Sequence, residues 1–290
     1  MPKAEAEGAF FKMESLTGKV VYISGATRGV GKAIAIKAAE AGAHVVITGK
    51  TDKPHAKLPG TIHSAAKEIK AAGALSVMPI VCDVRDLLSL KASIDKVGQA
   101  FGRIDVLVNN ASALYLSSIT DLSEKAFELM YQIIVRASFF SVKYALPYFK
   151  KSSLKQVLNI APKVDMRAKW FKDHSAYTLF KYGASMLVTG LACELEKAGI
   201  SVNALWPATL LNTAAVKFVL GGEAALAHTR DPAIMADAAC EIFKKAVTGA
   251  YFLDVDIIRQ MGKNPDDYAT IPGNQPYLDL YVDENQLSIL

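Results

Sequence analysis

The chain has 290 residues, 51% of them hydrophobic and 21% charged, with a formal net charge of +5. That length supports a full apolar core, and the charged fraction is ordinary for a soluble globular chain. No run reaches the ~18 uncharged apolar residues of a membrane span, and the mild charge suits an anionic small ligand without implying nucleic acid.

Residues Met1 to Ser15 mix Lys3 and Lys12 with Glu5, Glu7 and Glu14. A secretory signal needs an apolar run there and a transit peptide avoids acids, so the segment reads as an N-terminal extension. Ser288-Ile289-Leu290 lacks the basic residue of a peroxisomal address. Cys82, Cys193 and Cys240 are widely spaced and odd in number, which suits a reducing compartment. A cytoplasmic location is therefore expected. No pair of Cys or His, including His55 with His63, has ligand spacing, so no metal is expected.

From Lys19 onward, short β-branched runs alternate with longer helical stretches. The runs are Val20–Ile23, His44–Ile47, Ser76–Ile80, Val106–Val108, Val157–Ile160, Ser201–Leu205 and Ala250–Leu253. Short apolar runs of this kind suit strands buried on both faces, and repeated βα units imply a parallel sheet. The fold class predicted is α/β: a single-domain, Rossmann-type, doubly wound parallel sheet with helices on both faces, spanning residues 16–290. From about residue 263 the composition changes. Pro265, Pro272 and Pro276 stand among acids running from Asp266 to Glu284, which reads as a surface tail.

Ser24-Gly25-Ala26-Thr27-Arg28-Gly29-Val30-Gly31 follows the first strand and precedes a helix. Glycines there allow a tight turn and close approach of backbone to a pyrophosphate, and the helix N-terminus offers free N–H groups. Gly25, Thr27, Arg28, Gly29 and Val30 are thus candidate cofactor contacts. An acid at the end of the second strand would hold a ribose 2′-hydroxyl; this chain has Gly49-Lys50-Thr51 instead. Lys50 with Arg28 suits the 2′-phosphate of NADP(H), and Asp52 would oppose it if turned inward. Tyr177 and Lys181 are four apart and share one face of a helix. An ammonium and a cationic nicotinamide would lower the phenol's pKa, so Tyr177 is a candidate general acid/base.

With Gly25, Gly29 and Gly31 spaced as they are, the chain resembles the short-chain dehydrogenase/reductase family. Cys82-Asp83-Val84, Asn109-Asn110-Ala111 and the Tyr177–Lys181 pair match further motifs of that family in order. Lys53-Pro54-His55, Trp170-Phe171-Lys172 and Asn203 to Pro207 are similar to its hydroxysteroid dehydrogenase-like branch, whose reductase domain alone is expected here. The resemblance implies that Asp83 and Val84 contact the adenine, that Asn109 and Ala111 flank the cofactor, and that Lys181 holds the nicotinamide ribose. It also implies that Pro207 and Thr209, with Thr213, meet the nicotinamide side. The family's catalytic Ser falls at Ala161 and its helix Asn at Ile134, so two of four catalytic positions are apolar.

The loop from Pro162 to His174 is expected to border a hydrophobic substrate through Met166, Trp170 and Phe171, beside Ala161. Asp165 is the foremost candidate for a replacement catalytic group, ahead of Ser175, His174 and Tyr131. Three functions stay open: an NADP(H)-dependent oxidoreductase of a hydrophobic carbonyl or alcohol, a cyclase or isomerase on the same scaffold, and a non-catalytic NADP(H)-binding protein. A homodimer or homotetramer is implied by the resemblance.

Overall fold

A computed structural model describes residues 15–54 and 60–287. Residues 1–14 of the expected extension (1–15), together with His55 and the last three residues, lie outside the described residues. Seven strands form the sheet: β1 (Val20–Ser24), β2 (His44–Gly49), β3 (Ser76–Val81), β4 (Val106–Asn109), β5 (Gln156–Ile160), β6 (Ser201–Trp206) and β7 (Tyr251–Leu253). They coincide with the seven predicted runs to within two residues. Their order is β3-β2-β1-β4-β5-β6-β7, with every pairing parallel.

The helices are α1 (Gly29–Glu40), α2 (Ile62–Ala71), α3 (Leu87–Phe101), α4 (Glu124–Met130), α5 (Ala137–Phe149), α6 (Ser175–Leu195), α7 (Gly222–Leu226), α8 (Ala233–Ile242) and α9 (Asp254–Gln260). Two apolar layers cover the sheet. One packs Ile34, Ala38 and Ile47 against Ile234, Phe243 and Ile258. The other packs Tyr22, Leu90 and Ile94 against Phe149, Val188 and Trp206. Strands buried on both faces explain why the runs read as continuous apolar segments rather than alternating ones.

The strand order reverses between β1 and β4, because β2 and β3 extend to one side and β5 to β7 to the other. In a doubly wound sheet that reversal opens a crevice at the carboxyl ends of the strands. Between α4 and α5 the backbone winds as a π-helical turn over Tyr131–Arg136. Ile134 is buried in it, and Ser138 Oγ donates to the Ile134 carbonyl at 2.7 Å. Such wide turns interrupt α-helices often near functional sites.

The C-terminal segment differs from its expectation as a surface tail. Leu278 bridges Thr209 antiparallel, Asp279 N donates to the Ala208 carbonyl at 3.1 Å, and Trp206 Nε1 donates to the Leu280 carbonyl at 2.8 Å. Tyr281 and Val282 are buried in the second apolar layer. The acidic and proline-rich composition pointed outward, but Leu278, Leu280, Tyr281 and Val282 carry enough apolar surface to hold the strap down. No helix among the described residues is long and apolar enough to cross a membrane.

Candidate functional site

A cleft of about 650 Å³ opens at the strand reversal. Its floor is the β1–α1 turn. Gly25 has φ +68°, and a Cβ there would stand 2.8 Å from Ala111 Cα, so the close approach of this turn to the end of β4 admits only glycine. Asn110 Nδ2 donates to the carbonyls of Ser24 (2.9 Å) and Gly25 (3.1 Å), fixing the turn's shape. The first turns of α2, α3 and α4 are capped by Thr61, Asp86 and Ser123. α1 has Arg28 as its N-cap, with no side-chain cap bond and no acid in its first turn, and Gly29 and Val30 of that turn line the cleft. A helix N-terminus of this kind beside a cradle that a Cβ would fill fits a pyrophosphate.

At the second strand's end, Lys50 and Thr51 line the cleft together with Thr27, Arg28 and Val30. Arg28 Nη2 also donates to the Gly60 carbonyl at 3.1 Å. Asp52 is turned away: its Oδ1 meets His63 Nε2 at 2.7 Å, and it is not among the cleft-lining residues. Asp83 and Val84 line the adjoining wall. The Asp83 carboxylate pairs with Arg85, which holds it below the usual carboxylate range.

At the opposite end stand Tyr177 and Lys181, buried on the same face of α6, with Ile160, Trp206 and Pro207. Lys181 Nζ donates to the Ile160 carbonyl at 3.1 Å and lies 4.9 Å from the Trp206 ring. Burial brings the Lys181 ammonium down to about 8, and the same desolvation pushes the Tyr177 phenol well above its ordinary value.

Several sequence expectations are redistributed. Asn109 does not reach the cleft. Its amide donates to Asn159 Oδ1 at 2.9 Å and its Oδ1 accepts from Ser141 Oγ at 2.9 Å, while Asn159 Nδ2 donates to the Ala184 carbonyl at 3.2 Å. This buried chain ties β4 and β5 to α5 and to the helix that carries Tyr177; Asn110 and Ala111 line the cleft in its stead. Thr209 is buried and accepts from Arg230 Nη1 at 3.1 Å, whereas Thr213 faces the cleft. Ala161 is buried just past β5, its amide bonded to the Leu205 carbonyl.

Asp165 also lies outside the cleft lining. Arg167 clasps its carboxylate, Trp170 Nε1 donates to it at 2.8 Å, and these partners hold it far below the ordinary carboxylate range. Met166 is exposed, and Trp170 packs beneath Lys169 at 4.3 Å. Phe171 lines a second cavity of about 640 Å³ with Phe127, Ser175 and Leu179, on the other face of α6. Besides Asp83 at the far wall, the acid that lines the cleft is Asp279, with Leu280, from the C-terminal strap. Sequence reading missed it because no local pattern links residue 279 to Tyr177. The small signal was the apolar run around it, which marks a segment with something to bury.

These features define a dinucleotide-type cleft facing a Tyr–Lys pair on a doubly wound sheet. A family model described as short chain dehydrogenase matches residues 19–221. The chain is 46% identical over 272 residues to hydroxysteroid dehydrogenase-like protein 2 of Bos taurus, covering 93% of this chain and 64% of that protein. The Homo sapiens protein of the same name is 45% identical over 272 residues, with 93% and 64% covered. The chain thus spans somewhat under two thirds of the length of these relatives. A short chain dehydrogenase crystal structure from Mycobacterium thermoresistibile superposes with a TM-score of 0.87 at 41% identity, covering 93% of this chain and 96% of that one. A metagenomic short-chain oxidoreductase solved in complex with NADP superposes with a TM-score of 0.66 at 25% identity, covering 83% of this chain and 97% of that one. The chain belongs to the short-chain dehydrogenase family, and among its relatives it is similar to hydroxysteroid dehydrogenase-like protein 2.

Proposed function

We propose that this chain is an NADP(H)-dependent oxidoreductase that reduces a hydrophobic carbonyl, with residues 16–290 acting as one domain. The observation that carries this reading is the cleft itself, which joins the uncapped N-terminus of α1 to Tyr177 and Lys181. Gly25, Thr27, Gly29 and Val30 would hold the pyrophosphate, Lys50 and Arg28 the 2′-phosphate, and Asp83, Val84 and Ala111 the adenosine side. Pro207 and Thr213 would border the nicotinamide. Once bound, NADPH supplies a hydride to the substrate carbonyl carbon.

The chain's own residues handle the proton and the orientation. The carbonyl oxygen gains negative charge as the hydride arrives, and Tyr177 donates its phenolic proton to that oxygen. Lys181 holds the ribose and offsets the charge left on the phenolate. Burial keeps the Tyr177 phenol protonated, so the proton to be donated is in place. Leu114, Ile133, Phe218 and Val219 give the substrate end apolar walls. Metal is not required by this scheme. Exposed Phe127, Phe139, Leu179 and Met186 on α4, α5 and α6 give a homo-oligomer its contact surface.

A second reading is favoured by one observation: Ala161 has no hydroxyl where the resemblance puts the Ser that holds the substrate oxygen, and Ile134 has no amide where it puts the Asn that supports a proton path. A cyclase or isomerase would use the cleft for shape and proton placement, with the dinucleotide retained. The test is titration of NADPH and NADH, followed by a panel of apolar ketones and aldehydes read by loss of reduced-nicotinamide absorbance. Tight NADPH binding with oxidation supports the reductase. Tight binding with product formed and no absorbance change supports the second reading. Binding with neither leaves a nucleotide-binding protein.

A further inference from the structure

The helix that carries Tyr177 starts without a cap. His174 stands at the N-cap of α6 and makes no side-chain bond to the first turn, whereas Thr61, Asp86 and Ser123 cap α2, α3 and α4. Tyr177 is the third residue of that turn, where amides lack partners within the helix and the end frays. Thr178, the next residue, is fastened from outside the helix. Its Oγ1 donates to the Trp170 carbonyl at 2.6 Å and stands 3.1 Å from the Tyr281 hydroxyl. The one proton of Thr178 is committed to Trp170, so the Tyr281 phenol donates to Thr178. Tyr281 belongs to the C-terminal strap, and its φ of +71° lies in the left-handed region. A bulky residue keeps that conformation only where its surroundings over-determine it. Before it, Trp206 Nε1 donates to the Leu280 carbonyl at 2.8 Å and Asp279 N to the Ala208 carbonyl at 3.1 Å. After it, Val282 N donates to the Asp279 carbonyl at 3.3 Å, and Asp283 meets Arg167 at 2.8 Å and Lys169 at 2.9 Å.

Glycine would take this turn without strain, but it would place no ring against α6. The buried Tyr281 ring stacks on the Tyr177 ring with centroids 6.4 Å apart, and it meets Tyr182 at 5.3 Å and the cleft-lining Trp206 at 5.9 Å. We infer that Tyr281 is a positioning residue: its ring and hydroxyl hold the uncapped first turn of α6 and so set where the Tyr177 hydroxyl stands in the cleft. This rests on the reading of Tyr177 as the proton donor. Lys181, one turn further along α6, has its own tether in the Ile160 carbonyl at 3.1 Å, so the strap acts on Tyr177 rather than on Lys181. The pyrophosphate turn lies at the other end of the cleft, so nucleotide binding does not depend on Tyr281.

The test has two readouts on the whole chain. The first is amide hydrogen exchange at the start of α6, measured by mass spectrometry with neither nucleotide nor substrate. In Tyr281→Leu, which keeps apolar bulk but loses ring and hydroxyl, exchange there quickens by more than about tenfold while α3 is unchanged. Tyr281→Phe loses one neutral hydrogen bond and quickens it by about fivefold. If Tyr281→Leu disturbs the fold as a whole, seen as faster exchange in α3 too, Tyr281→Phe carries the test. The second readout is turnover of the ketone or aldehyde that the panel yields. In Tyr281→Leu kcat falls by about 10- to 100-fold, the cost of misplacing a reacting group, while the Kd for NADPH is retained, and Tyr281→Phe recovers most of kcat. A merely structural role would not separate rate from NADPH binding in this way. Unchanged exchange at the start of α6, or a loss of NADPH binding that matches the loss of rate, overturns the proposal. Because exchange is read without substrate, a natural chain that reduces no carbonyl counts against the reductase reading alone.

Discussion

At the residue scale, the cleft divides its chemistry between a cationic end and a proton-handling end. Lys50 borders the cleft while Asp52 is held by His63, so the acid that would repel a 2′-phosphate is turned away. Replacing Lys50 by Ala should weaken NADPH binding by about 10- to 100-fold, the worth of one charge-assisted bond of roughly 1.5–3 kcal/mol, and leave NADH nearly unchanged. Isothermal titration with the two nucleotides checks this, and equal losses for both would count against a phosphate contact. Tyr177→Phe keeps the ring that stacks on Tyr281 and removes only the hydroxyl. Carbonyl reduction should then fall by ~10²–10⁴-fold with NADPH affinity retained. A variant that keeps its rate would place the proton donor elsewhere.

At the element scale, the β1–α1 turn and the Asn109–Asn159 chain do different work. The turn must lie against the end of β4, and Gly25 has both a left-handed φ and a backbone atom where a Cβ would go. Gly25→Ala should therefore lose dinucleotide binding altogether and lower stability by ~1–3 kcal/mol, from strain and overpacking together. Urea unfolding alongside nucleotide titration separates the two effects. The Asn pair instead holds β4, β5, α5 and α6 in one register, so that Tyr177 and Lys181 meet the cleft. An Asn at the end of a strand looks the same in sequence whether it faces a ligand or a neighbouring strand. Only the pairing of Asn109 with Asn159 across the sheet distinguishes them.

At the scale of the whole molecule, two buried carboxylates join distant parts of the chain. Asp237 on α8 accepts from Lys37 on α1 at 2.9 Å, and from Lys263 (2.8 Å) and Tyr268 (2.5 Å) of the segment after α9. Asp237→Ala removes the acid that joins Lys263 and Tyr268 to α8 and one of the two acids on Lys37; since both lysines are partly exposed, it should cost about 1 kcal/mol, read as a lowered urea midpoint. Asp254 accepts from the amides of Ala208 and Val255, but its Oδ2 is buried without a partner. Burial pushes its carboxyl up to about 6 in the folded chain. The folded state then binds the Asp254 proton more tightly than the unfolded chain, whose carboxyl titrates near ~3.9. Its contribution to stability is fully present below that value and is lost as pH rises through about 6. Asp254→Asn removes the effect. Between pH 4 and 7 the stability of the natural chain should thus fall relative to this variant. A difference independent of pH would show that Asp254 is ionised throughout.

The sequence by itself determined the doubly wound sheet, because each buried strand needs a short apolar run and each crossover a helix, and both leave periodic marks. It also determined the glycine turn, Lys50, and the Tyr177–Lys181 pair, since these depend on spacing within one element or across one turn. The tertiary structure alone decided which polar groups meet in the cleft. Asp165 lies four residues past Ala161 in the chain, yet it pairs with Arg167 two residues on and is spent there. Asp279 lies 102 residues past Tyr177, yet the packing of Leu278, Leu280 and Tyr281 brings it to the same cleft. Burial of an apolar strap is cooperative over the whole fold, so its polar cargo arrives at a place that no local pattern records.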